Sequence, residues 1–164
     1  MDFIQGHWRT GSSLSLTASI TAVGNVGAGT DDLISYTMPA NVLEKTGRTI
    51  RVTAWGQTAN NANPKTVTLN FGGTAILTTA LTISIAGFWR IQAEVIRTGE
   101  DTQDYISQLV QGATSLVDCE GGALTIDEDA TIIIKCTGTV TDGGGGINNN
   151  DIVQDGLIVE VVNM

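Results

Sequence analysis

Apolar and polar residues alternate with a period of two along most of this chain, and no stretch of ten or more residues carries a helical period. A two-residue period sends successive side chains to opposite faces, so such a chain folds as half-buried strands. Residues 48–57 show the pattern most cleanly, with Ile50, Val52 and Ala54 on one side and Thr49, Arg51, Thr53 and Trp55 on the other. One face is therefore core and the other outer, and Trp55 falls on the outer one.

The same reading predicts strands at residues 14–20, 33–38, 65–71, 74–79, 88–97, 103–111, 131–139 and 152–162, with a weak one at 113–117. Residues 65–71 place Val67, Leu69 and Phe71 inward, and Gly72-Gly73 follows at once. Two residues that tolerate positive φ between two strand-like runs predict a tight hairpin. Residues 98–102, with Gly99, predict the turn of a second antiparallel hairpin. The facing of 103–111 stays open, because Tyr105, Ile106, Leu109 and Val110 do not alternate. Ile132, Ile133 and Ile134 in a row predict a strand buried on both faces. The best helix candidate, residues 40–45, amounts to one turn after Pro39.

Eight to ten strands at these intervals predict an all-β, antiparallel β-sandwich, with an immunoglobulin-like topology as the alternative to a jelly-roll-like one. The length, 164 residues, fits one domain. Residues 1–31 read as an N-terminal arm with a short strand, and residues 32–164 as the sandwich. The arm is dominated by Gly, Ser, Thr and Ala, and its large apolar residues Phe3, Ile4 and Trp8 need a surface to cover them, on this domain or on a neighbour. With Trp55 they form the candidate interface.

Charge and site chemistry narrow the function. The formal net charge is −9, and the eight basic residues form no patch, which disfavours nucleic acid and acidic lipid surfaces as partners. Charged residues are 15% of the chain, against about 25% in ordinary soluble domains. Such a surface suits burial in an assembly and also a plain β-rich exterior. Cys119 and Cys136 are too few and too far apart for a zinc site; a disulfide between them stays open, with free thiols the expected state. His7 stands alone in the arm, so neither an imidazole pair nor a Ser-His-Asp arrangement is expected. The carboxylate groups Asp31-Asp32, Glu100-Asp101, Asp118/Glu120 and Asp127-Glu128-Asp129 are expected in turns, and none has the spacing of a calcium loop. The tract 142–151, rich in Gly and Asn, lacks the Lys-Ser/Thr of a phosphate loop and reads as a slack connector, or otherwise as a contact loop. No enzyme, cofactor or metal is expected.

Several segments also resemble structural proteins of tailed-bacteriophage virions. They are Asp32-Leu-Ile-Ser-Tyr-Thr-Met-Pro-Ala-Asn-Val-Leu43, Arg48-Thr-Ile-Arg-Val-Thr-Ala-Trp-Gly56, Phe71-Gly-Gly-Thr74 and Trp89-Arg-Ile-Gln-Ala-Glu-Val-Ile-Arg97. The resemblance implies a jelly-roll module without a cofactor, self-associated as a homo-oligomer, often a trimer. It implies a capsid decoration (cement) protein held to the major capsid protein, or else a tail-fibre tip that binds a receptor or carbohydrate. Trp55 with Asn60, Asn61 and Asn63 is the expected glycan site in the second case. Residues 1–11 lack a basic-then-apolar pattern, so synthesis in a host cytoplasm and residence in the virion are expected.

Overall fold

A computed structural model of the chain describes residues 13–81, 86–112 and 115–162, apart from the side chains of 115–117. Those residues form strands β1 (Ser13–Ser19), β2 (Val23–Gly24), β3 (Gly29–Met38), β4 (Thr49–Thr58), β5 (Lys65–Phe71) and β6 (Thr74–Leu81). The series continues with β7 (Gly87–Gly99), β8 (Thr102–Gln111), β9 (Ser115–Leu124), β10 (Ile132–Val140) and β11 (Ile152–Val162). No helix occurs among the described residues; residues 40–43 after Pro39 make only a turn, with Asn41 at φ 64°.

The strands build two antiparallel sheets. The larger has seven strands in the order β1-β11-β4-β7-β8-β9, with β2 also on β11; the smaller has four, β3-β10-β5-β6. The pairs β1/β11, β3/β10, β4/β7 and β5/β6 are nested one inside the next. A nested ribbon folded into two facing sheets is the jelly-roll arrangement. The β8–β9 hairpin is inserted after β7 and widens the larger sheet. The boundary drawn at residue 31 falls inside β3, and β1 and β2 of the preceding stretch are paired in the larger sheet.

Local chemistry explains the best-read elements. Gly72 and Gly73 take φ 58° and 84°, the two left-handed positions of a two-residue hairpin turn whose twist matches its strands. Val67, Leu69 and Phe71 are fully buried from one side of that hairpin. Ile50, Val52 and Ala54 face Trp89, Ile91, Ala93 and Val95 of the neighbouring strand's inner side, and Leu157, Val159 and Val161 complete the layer. Each large apolar side chain so buried contributes about 1.5–3 kcal/mol. Cys136 is part of this core, and burial pushes its thiol pKa up to about 12. Cys119 is exposed, and both cysteines are free thiols.

Two expectations need correction, and the facing left open on β8 is resolved. Ile133 is 48% exposed while Ile132 and Ile134 are buried, so β10 is half-buried and ordinary alternation holds. On β8 the inward positions are Gln103, Ser107, Leu109 and Gln111, and Ile106 points out at 57% exposure. Asp31 and Asp32 lie on β3, and Asp118 and Glu120 on β9, rather than in turns.

Bulges leave orphan backbone groups that side chains recover. The β3/β10 register slips between Lys135 and Thr137, and the Ile34 N–H there donates to Oε1 of Gln154 at 2.9 Å. Gln154 reaches across from the opposite sheet, is fully buried, and donates its own Nε2–H to the Gly156 carbonyl. On the other flank β9 closes over β6: the Thr78 N–H donates to Glu120 and the Thr79 hydroxyl to Asp118, each at 2.9 Å.

Candidate functional site

The outer face of the larger sheet gathers the residues best suited to a partner. Trp55 lies on β4, and strand pairing sets Gly156 on one side of it and Arg90, then Val110, on the other. Gly156 is what lets the indole lie against the sheet. A Cβ at that position would come within 2.1 Å of Trp55 Cζ2 and 2.5 Å of Cη2. The ring thus covers the glycine and stays half-exposed itself. An aromatic ring over a cross-strand glycine also protects the thin spot such a glycine leaves in a sheet.

Phe88, opposite Gln57 at the end of the β4/β7 pairing, is 70% exposed. Between Trp55, Phe88, Arg90 and Val110 lies an open depression of about 370 Å³. Arg90 has no ion-pair partner among the described residues and is exposed. The neighbouring row carries Thr53, Gln92 and Gln108, with Gln108 Nε2–H donating to Gln92 Oε1 at 3.3 Å. Beyond it Arg51 is held by Glu94, both guanidinium contacts falling on Oε1 at 3.0 and 2.9 Å. This face combines apolar area, planar amides and an unengaged cation.

The tract 142–151 is not slack. Asp151 is buried and accepts from the amides of Asn61 and Asn63. Asn63 also donates to the Gly146 carbonyl and accepts from the Gly143 N–H. Lys65 Nζ donates to Asn61 Oδ1 and to the Asn63 carbonyl at 2.6 and 2.8 Å. Burial lowers the Lys65 pKa, and nearby Asp151 partly restores it. On the other side Asn25, fully buried, donates to the carbonyls of Gly27 and Asn148 and accepts from the Ile152 N–H. Three loops at one end of the sandwich are thereby clasped together.

That clasp removes two of the three asparagines from the expected glycan arrangement around Trp55, while Asn60 stays exposed. Asn61 and Asn63 are consumed by Asp151 and Lys65, and Asn63 is only 1% exposed. Arg90, Gln92 and Gln108 are the polar neighbours of the Trp55 strand, and strand register, which the sequence does not display, places them there. Glu128 is likewise no surface turn residue: it is buried, paired with Arg97 at 2.6 Å and bonded by Gln103 at 2.9 Å. Among the described residues no cluster of three His, Cys, Asp or Glu side chains is set to hold a metal. Phe3, Ile4 and Trp8 of the candidate interface, and His7, lie outside the described residues.

No protein-family model and no curated protein matches the chain. Solved structures do. The CBM2 module of the evolved Dit of Lactobacillus casei BL23 phage J-1 aligns with 94% of this chain and 98% of its own, at 9% identity and a TM-score of 0.43. A protein of unknown function from Shewanella oneidensis MR-1 aligns with 93% of this chain and 79% of its own, at 12% identity and a TM-score of 0.43. The galectin LEC-6 of Caenorhabditis elegans aligns with 74% of this chain and 96% of its own, at 7% identity and a TM-score of 0.26.

Proposed function

We propose that this chain is a non-catalytic structural module of a tailed-phage virion, and that the outer face of its larger sheet around Trp55 is its contact face. The observation that carries the reading is the cluster of Trp55, Phe88, Val110 and unpaired Arg90 on one open sheet surface. Trp and Arg are the side chains most enriched at the energetic centres of protein interfaces. The virion setting is supported by the sequence resemblance. Within it, decoration of the head through contacts with the major capsid protein is the first role. The carboxylates that could serve chemistry are instead engaged in structural bonds: Asp118, Glu120, Glu128 and Asp151 all hold backbone or side-chain donors of neighbouring elements.

Binding of purified protein to phage heads lacking it tests this reading. Trp55→Ala and Arg90→Ala should each weaken binding by about tenfold or more, the cost expected of a central interface residue. Arg90→Ala should leave the melting temperature in place, and Trp55→Ala should lower it by only roughly 2–4 °C, through lost ring packing on Gly156. Full affinity in both variants contradicts the proposal.

A glycan on the same face is the second reading, favoured by the way Trp55 covers Gly156 beside Arg90 and Gln92. Such a ring offers an apolar platform next to planar hydrogen-bonding groups. A glycan array separates the two: signal that disappears in Trp55→Ala selects the glycan, and background signal with retained head binding selects the protein partner.

A further inference from the structure

A two-sheet sandwich has four edges, and three of them are guarded. β6 and β9 close on one another through Glu120, Asp118, Thr78 and Thr79. β3 carries Asp31 and Asp32, the latter paired with Lys135 at 2.7 Å. Among the described residues β1 is the exception. It lies within a run from Thr10 to Thr30 that holds no charged residue, in a chain with 17 acidic and 8 basic side chains. Natural edge strands are blunted by charges, proline or bulges. β1 has no charge and no proline, and its single bulge turns Leu16 in against the core.

Leu14 adds a second, independent observation. It pairs with Val161 and so shares that residue's inward face. Val161 is 6% exposed, yet Leu14, one strand further out on the sheet's edge, is 59% exposed. Ile20, just past the strand, is 80% exposed. The edge therefore shows solvent an apolar inner face of the kind a sandwich buries.

We propose that a second copy of this chain docks here by strand addition, β1 against β1, antiparallel. Charge selects the edge that a second copy can use. Two copies at net charge −9 repel one another, and like charges placed directly opposite across strands are destabilising. Self-pairing of β3 would set Asp31 and Asp32 against their own copies. Self-pairing of β1 opposes only Ser, Thr, Ala and Leu. A two-fold axis perpendicular to the sheet makes the added strand antiparallel and keeps both inner faces on one side. The two Leu14 side chains then extend a shared apolar surface beneath a continuous sheet. This interface is separate from the Trp55 face and does not depend on it.

The test is sedimentation or light scattering of the full chain across a wide concentration series. The wild type is expected to dimerise. Leu14→Lys and Leu14→Glu should each weaken the dimer by about tenfold or more, since either sign sets like charges together across the junction. Single cysteines at Ser13, Ser15, Thr17 or Ser19, in a Cys119→Ser background, keep the native edge. At least one of them should trap a disulfide-linked dimer on mild oxidation. Trp55→Ala should dimerise as the wild type does. A monomer at every concentration, or a dimer that ignores both Leu14 changes and resists all four cross-links, overturns the proposal.

Discussion

Two glycines one strand apart should respond to the same substitution in different ways. Gly56 on β4 and Gly156 on β11 both lie where a Cβ has no room. At Gly56 the added carbon would sit 1.9 Å from the Val153 carbonyl oxygen and 2.8 Å from Gln154 Cα, as well as 2.6 Å from Trp89 Cζ2. Those first two atoms are backbone of a paired strand, and Trp89 is 1% exposed. Nothing there can move without parting β4 from β11. At Gly156 the nearest obstacles all belong to the Trp55 ring, which is half-exposed and can swing outward. Gly56→Ala should therefore cost about 3 kcal/mol or more, the upper range for overpacking. Gly156→Ala should cost about 1 kcal/mol, from lost ring packing. For a chain of this size each kcal/mol lowers the melting temperature by roughly 2–4 °C. The expected drops are thus at least about 6 °C for Gly56→Ala and about 2–4 °C for Gly156→Ala. Calorimetry reads the first difference. Tryptophan emission reads the second, since Gly156→Ala should shift Trp55 to the red while the fold persists. Equal losses in the two variants, or a silent Gly56→Ala, would refute the packing argument.

Other outcomes follow from the buried polar groups. Asp151→Ala strips the acceptor from Asn61 and Asn63 and should cost about 3–5 kcal/mol in urea unfolding, with faster hydrogen exchange across residues 142–151. Gln154→Leu leaves the Ile34 N–H unpaired between the sheets and should cost about 1–3 kcal/mol by the same assay. Burial lowers the Lys65 pKa below its unfolded value, so between the two values the unfolded chain binds more protons and stability rises with pH. Relative to Lys65→Met, the wild type should therefore gain stability as pH climbs from the lowered folded value towards the unfolded value of about 10, and a parallel pair of pH profiles would show the lysine unperturbed.

The parts of the fold written in local pattern were legible in the sequence. The Gly72-Gly73 hairpin is one, because turn chemistry and a period of two sit side by side there. The inner faces of β4, β5 and β11 are another. β8 was not legible, because its inward Gln103 and Ser107 are satisfied by partners from distant segments. Gln103 bonds Ile126 and Glu128, and Ser107 donates to the Ile76 carbonyl. Once those bonds exist, Ile106 can face out, and polarity along the strand no longer reports facing. The clasp around Asp151 escaped for the same reason: Asn61, Asn63 and Lys65 lie far from it in sequence, and composition alone gave a Gly/Asn-rich tract the look of a slack loop. Trp55 could be placed on the outer face from alternation. Its neighbours Arg90, Val110 and Gly156 could not, since register belongs to the pairing of strands and not to any one of them.

The Trp55 face is tested most directly by hydroxyl-radical footprinting of the protein free and on phage heads. If this face carries the contact, Trp55 and Phe88 should lose most of their labelling on assembly while Ile133, on the outer side of the smaller sheet, keeps its own. Undiminished labelling of Trp55 and Phe88 in the assembled particle would contradict the account.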